Sequence, residues 1–331
     1  MNPLASAVIA AIVTGVATPI VRGVLVRLDV LDVPNERSSH VLVVPRGGGI
    51  AVAIGTLVAV TAWGWTTETA SLATAAVVLG VVGFIDDHRG LPPVFRLAAQ
   101  LVVPIVVTPA LLRATDLGNG PMVAVGLLIA MWCAAYVNAF NFMDGINGLA
   151  VGQTLVAGCA LAWLAHAEGA STLVALSLAV VGAAIGFGPF NVVNASIFLG
   201  DVGSYFLGTW LALLLVLIVA AGTPLIVALG PFVLYLLDTG TTLVKRSQRR
   251  VRLLDAHREH AYQRLVETGW THLQVAALAT GVMVVNSGVL IAANGQDWWW
   301  QVVAMSVALL AAGAFVALPT ALTSKQGPSL A

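Results

Sequence analysis

Residues 121–137 read PMVAVGLLIAMWCAAYV, and residues 138–149 continue NAFNFMDGINGL. The first part carries no charge and is long enough to cross the hydrocarbon core of a bilayer, which takes about 17 to 25 residues as a helix. In the second part, Asn138, Asn141 and Asp144 recur every three residues and so share one side of a continuing helix, until Asp144-Gly145 breaks it. An apolar span delivering amides and a carboxylate to its own end is the pattern that recurs along the chain.

Ten other apolar runs follow the same reading: about 4–21, 48–65, 70–85, 97–112, 149–165, 171–189, 203–221, 223–243, 273–293 and 298–318. The runs at 203–221 and 223–243 separate only because Gly222-Thr223-Pro224 reads as a tight turn. The composition agrees, with 59% apolar and 9% charged residues against the ~25% charged of soluble domains. No polar linker or charge run divides the 331 residues. The expected fold is therefore one all-α polytopic membrane domain over 1–331, with about eleven transmembrane helices. No Lys or Arg precedes Arg22, so the first run reads as a retained span and not as a signal peptide.

Fifteen Lys and Arg balance fifteen Asp and Glu, which leaves no overall field to attract nucleic acid. The cations are nevertheless lopsided. With eleven spans, all but Arg113 fall on one side, and the positive-inside rule makes that side cytoplasmic, with the N-terminus outside and the C-terminus inside. Cys133 and Cys159 sit inside apolar runs without the spacing of a metal site.

The inner loops hold the chemistry. Asp32 to Gly49 includes Arg37, His40 and Arg46 before Gly47-Gly48-Gly49, donors and a glycine-rich helix start suited to phosphate, or a simple cationic membrane anchor. Asp86-Asp87 at a span end requires a cation, a metal or a raised pKa, or pairing with Arg89 and Arg96. The group from Asn138 to Asp144 suits recognition of a base or sugar, or capping. Asp201 lies between Gly200 and Gly203, which would leave room for a metal and its waters, or it caps the helix. In the last loop a helical reading brings His257, His260 and Arg264 within about 60° of one another, with Glu259 opposite. The Arg-rich stretch before them also suits a lipid-headgroup anchor. Separated acids beside phosphate-competent cations imply a divalent ion handling a diphosphate, because Mg²⁺ takes one or two carboxylates and bridges phosphate oxygens.

Asp32 to Gly49, Asp86-Asp87, Asn138 to Leu149, Gly200 to Ser204 and His257 to Leu265, in this order, resemble the polyprenyl-phosphate N-acetylhexosamine-1-phosphate transferases, the superfamily of the MraY, WecA and WbpL proteins. The resemblance covers about residues 29–270. The stretch from His257 to Arg264 is more similar to the WbpL/WecA-like branch than to MraY, whose loop is a run of histidines. The resemblance implies transfer of a sugar-1-phosphate from a UDP-sugar to undecaprenyl or another polyprenyl phosphate, with release of UMP, at the cytoplasmic face of the inner membrane. Such a step begins synthesis of cell-envelope glycans of the cell-wall or O-antigen kind.

It further implies Mg²⁺, with Mn²⁺ as a substitute, held by Asp201 and Asp144. Asp86 and Asp87 would be the acids near the lipid phosphate, one of them a candidate general base, and Asn138, Asn141 and Asp144 would hold nucleotide or metal. His257 and His260 would contact the sugar-phosphate, with Arg264, Arg37, His40 and Arg46 as further substrate contacts. Asn147 stands where many relatives carry a second Asp. The implied partners are the UDP-sugar, polyprenyl phosphate and membrane lipids, with a homodimer as a further expectation. Against this stand a secondary transporter, which predicts paired repeats and ionisable groups at mid-membrane, and an inactive assembly scaffold.

Overall fold

The computed structural model describes residues 2–34, 43–113, 119–251 and 258–325. Their helices are α1 (Pro3–Arg27), α2 (Gly49–Trp63), α3 (Thr67–Arg89), α4 (Pro93–Leu111), α5 (Asn119–Met143), α6 (Leu149–Ala167) and α7 (Ser171–Asn191). After them come α8 (Gly200–Ala220), α9 (Leu225–Ala228), α10 (Val233–Gln248), α11 (Ala261–Glu267), α12 (His272–Ala292) and α13 (Trp298–Lys325). A two-residue strand, β1 (Leu31–Asp32), pairs antiparallel with β2 (Val44–Pro45) between α1 and α2.

Among the described residues, nine helices are long and apolar enough to cross a membrane. The remaining two of the eleven expected runs take other forms. One is α2, apolar but only 15 residues long. The other is α9, a 3₁₀ turn at Gly230–Phe232 and α10 in succession, broken where Pro224 and Pro231 cannot donate to a helix. The side chain of Gln153 donates to the carbonyl of Pro231 (3.0 Å) and to the Tyr136 hydroxyl (2.8 Å), tying this break to α5 and α6.

Hydrogen bonds show that both irregular segments still run from one end of the bundle to the other. At one end Trp63 donates to Thr172 (3.4 Å), Arg113 to Thr67 (3.4 Å) and Thr223 to Glu168 (2.9 Å). These residues lie in or next to the turns after α2, α4, α6 and α8. At the other end Arg22 reaches the carbonyl of Ser196 (3.0 Å), Arg46 reaches Asp201, and Arg264 reaches Thr320 (2.9 Å). By the described residues the bundle is thus traversed eleven times, and the described parts of the five inner loops, three of which carry Lys or Arg, gather at one end. Exposed Trp65, Trp163 and Trp298 to Trp300 lie at the opposite end, where amphipathic rings suit a membrane–water interface.

α8 is the axis of the bundle. Its 21 residues, about 31 Å at 1.5 Å per residue, are buried along nearly their whole length and pack against α2, α3, α5 and α6. Close crossings need residues without side chains. A Cβ at Gly49 would strike the Gly203 backbone, and one at Gly83 the Asp201 backbone. The starts of α2 and α8 and the end of α3 are therefore pressed together at one point, which fixes where the site forms.

Opposite-end placement has a direct readout. A topology reporter inserted at Gly222 should report the side opposite to one fused after Ala331, whereas the same side for both would contradict eleven traverses.

Candidate active site

The site is assembled around Arg46, which follows β2. Its Nε donates to Asp87 Oδ1 (2.7 Å) and its NH2 group to Asp201 Oδ1 (2.5 Å). Burial opposes the charge of Arg46, but Asp201 and Asp87 beside it more than compensate, and its pKa lies above the ordinary arginine value. Asn141 Nδ2, from the end of α5, also donates to Asp201 Oδ1 and to Ser204 Oγ, both at 2.9 Å. Four of the five loops thereby meet in one network, and Asp201 Oδ2 accepts none of these bonds.

The adjacent acids divide their work. Asp87, with a side chain only 1% exposed, accepts the backbone N–H of Asp201 (3.0 Å) and of Val202 (3.1 Å) as well as the Arg46 bond. It caps the start of α8 from a different helix, supplying acceptors that the first turn of a helix lacks. Asp86 accepts Arg96 NH1 (2.8 Å) and the N–H of Leu91 (2.7 Å). The sequence alternative of pairing with Arg96 therefore holds for Asp86.

Three expectations about the loops change on this geometry. The N–H groups of Gly47 and Gly48 donate to the carbonyl of Phe198 (3.1 and 2.8 Å), and that of Gly49 to Leu199 (2.8 Å), so they bind the chain ahead of α8 and not an anion. Gly200 and Gly203 serve close packing instead of room for a metal, since a Cβ would meet Asp87 and Gly47 at the first and Leu199 and Gly49 at the second. The expected helix does not run through residues 258–260, so His260 and Arg264 do not share a continuous helical face. α11 starts only at Ala261, because Asp238 holds the Ala261 N–H with both carboxylate oxygens at 3.1 Å and makes His260 the N-cap.

His260 is buried beside Asp238, with Nδ1 3.4 Å from Oδ1, and Arg264 turns to Thr320 on α13. Arg37, His40 and His257 lie outside the described residues. Asn138 Nδ2 bonds Gln100 Oε1 (2.5 Å) on α4 and the carbonyl of Ala134 (2.7 Å). The N–H of Asn147 lies 3.5 Å from His272 Nδ1, at the start of α12. Asp238, Gln100 and His272 are additions that sequence reading missed. A lone acid in the apolar run at 223–243 was the available signal for the first.

Asp144, just past α5, is half-buried, and its carboxyl makes no hydrogen bond among the described residues. Burial pushes its pKa well above the usual carboxylate range; Arg46 opposes the shift, while Asp201 and Asp87 reinforce it. Among the described residues no three His, Cys, Asp or Glu side chains group as a complete metal cage. Mg²⁺ does not require one, since it binds through one or two carboxylates plus waters and substrate phosphates. The unbonded carboxyl of Asp144 and Oδ2 of Asp201 are oxygen donors of that kind, so the residues present fit such an ion.

A groove of about 390 Å³ opens beside this network between α4, α5 and α10. Arg96, Asn138 and Asn141 line its polar part, and Leu97, Leu236 and Leu243 its apolar part. Fold and site together define a polytopic helical membrane protein with a charged pocket at one end of its bundle and an apolar groove leading into it.

Comparison with known proteins is specific about the class. The family described as "Glycosyl transferase family 4" matches residues 69–219. A Bacillus subtilis protein named "Probable undecaprenyl-phosphate N-acetylglucosaminyl 1-phosphate transferase" is 28% identical, over 78% of this chain and 75% of its own length. The Mycobacterium tuberculosis decaprenyl-phosphate N-acetylglucosaminephosphotransferase is 29% identical over 94% of this chain and 87% of its own. A Streptococcus thermophilus phospho-N-acetylmuramoyl-pentapeptide-transferase is 29% identical over 54% and 56%. Over most of its length the chain is thus similar to polyprenyl-phosphate N-acetylhexosamine-1-phosphate transferases.

Two measurements check the electrostatics. Asp87→Ala orphans two buried N–H groups and a guanidinium contact, and should cost about 3 kcal/mol or more, seen as a lower melting temperature in detergent; an unchanged melt would contradict the capping role. For Asp144 the folded-state pKa is raised, so its stabilising contribution is complete below the unfolded value of ~3.9 and lost as pH rises. In chelator at pH 7.5, Asp144→Asn should therefore melt above the parent protein, with the gap closing as the pH falls toward ~4. A gap of opposite sign would place Asp144 in a stabilising ion pair.

Proposed function

We propose that the protein transfers an N-acetylhexosamine-1-phosphate from a UDP-sugar to a polyprenyl phosphate, giving a sugar-diphospho-polyprenol and UMP. The observation that carries this reading is the single network of Arg46, Asp87, Asn141 and Asp201, drawn from four loops, beside a groove lined by both polar and apolar side chains. A soluble diphosphate and a lipid need such a junction. The names of the relatives point to the same pair of substrates.

In the reaction an oxygen of the lipid phosphate attacks the sugar-bearing phosphorus, and the bond from that phosphorus to the bridging oxygen breaks as UMP leaves. Phosphoryl transfer of this kind depends on positioning and charge neutralisation. Arg46 and Arg96 supply fixed positive charge, Arg46 at the polar network and Arg96 at the inner end of the groove. Asn141 and Arg46 orient Asp201 through Oδ1, which leaves Oδ2 out of both bonds. Asp144 and Asp201 would hold Mg²⁺, which would supply charge neutralisation for the diphosphate. Asp87 keeps Asp201 and Arg46 in register, and its committed oxygens fit a structural acceptor better than a general base. The lipid phosphate is already ionised at neutral pH and needs no base to attack.

The cation asymmetry supports placing the site at the cytoplasmic face of the inner membrane, with the N-terminus outside and the C-terminus inside. Cell-envelope glycan assembly is the setting this implies. A transporter reading is not favoured, because Asp86, Asp87, Arg96 and Asp201 cluster at one end of the bundle and do not line a path through it.

Membranes containing the protein, given polyprenyl phosphate and a panel of UDP-N-acetylhexosamines, should release UMP with at least one donor. Release should stop in chelator, return with Mg²⁺ or Mn²⁺, and fall by roughly 10² or more in Asp201→Asn. Full activity in chelator would remove the metal from this account, and UMP release from none of the donors would remove the reaction.

A further inference from the structure

Asp238 was singled out by neither its spacing nor its neighbours, yet it is fully buried and is the most heavily engaged acid outside the central network. It lies on α10, the helix that follows the proline break, and both its oxygens accept the N–H of Ala261 at the start of α11. Oδ1 also faces His260 Nδ1 at 3.4 Å and the Thr242 hydroxyl at 3.4 Å. A carboxylate in that place anchors a helix start that belongs to another part of the chain, and selects the His260 tautomer that carries its proton on Nδ1.

What α11 touches next gives this anchor a consequence. The His260 ring stacks on Tyr262 (centroids 5.9 Å, planes 19° apart) and lies 5.9 Å from Phe142. The Tyr262 hydroxyl donates to the carbonyl of Phe142 at 2.9 Å. The same hydroxyl packs so tightly on Gly145 that a Cβ there would collide with it. Phe142 and Gly145 flank Asp144, the acid with no hydrogen bond among the described residues. α11 is thus a strut running from Asp238 to the turn that presents Asp144.

We propose that Asp238 is a positioning residue: by holding the Ala261 N–H and His260 together, it sets α11 and Tyr262 against the 142–145 turn and so fixes Asp144, the acid read above as a nucleotide or metal contact. This rests on the reading of the site as a UDP-sugar-dependent transferase only for its kinetic consequence. The mechanical part stands apart from that reading. The side chain works through α11, without contact to substrate, and it needs a carboxylate. An amide in its place would keep one acceptor for Ala261 but present an N–H to His260 Nδ1.

Two measurements on the full-length protein in detergent test this. In hydrogen–deuterium exchange, Asp238→Asn and Tyr262→Phe should each speed exchange in residues 260–266 and in the 142–148 turn while leaving α12 and α13 at the parent rate. Faster exchange confined to 260–266, or spread evenly over the bundle, would overturn the coupling whatever reaction the protein catalyses. In the transfer assay, Asp238→Asn should raise KM for the UDP-sugar about tenfold while KM for polyprenyl phosphate stays within about twofold. A purely structural role would lower the active fraction, hence apparent kcat, and leave both KM values unchanged, which would also overturn the proposal.

Discussion

The Arg46 guanidinium, clamped between Asp87 and Asp201, is the interaction on which the rest of the site depends. Three ionisable groups at the edge of an apolar bundle are costly to charge unless they offset one another, and removing one partner of such a set strands the others. The clamp also joins segments far apart in the chain. Asp87 ends α3 and takes the first N–H groups of α8, while Arg46 leads into α2, whose first residue crosses α8 at Gly203. Electrostatics and glycine packing therefore fix the same point, and neither would hold it alone.

That arrangement makes the division of labour among the acids physical. Asp87 and Asp86 spend their oxygens on backbone N–H groups and arginines. Oδ2 of Asp201 accepts neither the Arg46 nor the Asn141 bond, and among the described residues Asp144 keeps its whole carboxyl outside hydrogen bonds. Acids that look equivalent as a string of Asp residues are thus separated into those that build the site and those with capacity left for a ligand.

The fold was largely legible because the bilayer imposes length and polarity on every traverse, and alternation of the cation-rich loops followed from the count. The break at Pro231 was not: composition reads the run as apolar, and only the pairing of Gln153 with Pro231 shows how the break is satisfied. Within the site, Asp201, Asn141 and Arg46 were legible as residue types at span ends. Their partners were not, since Asp201 and Asp87 are 114 positions apart and a hydrogen bond across that separation leaves no local pattern. The helical reading failed at His260 for a related reason. Periodicity assumed that the helix began early, whereas a carboxylate from α10 decides that it begins at Ala261.

The central claim is that the bond made to the lipid is to phosphorus and not to the sugar carbon. Both outcomes consume a UDP-sugar and yield a sugar-bearing lipid, but they divide the donor differently. Incubation of the protein and polyprenyl phosphate with a UDP-N-acetylhexosamine labelled at the sugar-bearing phosphorus separates them. The account predicts that the label moves into the lipid and that the nucleotide released is unlabelled UMP. Labelled UDP in solution, with an unlabelled lipid product, would contradict it.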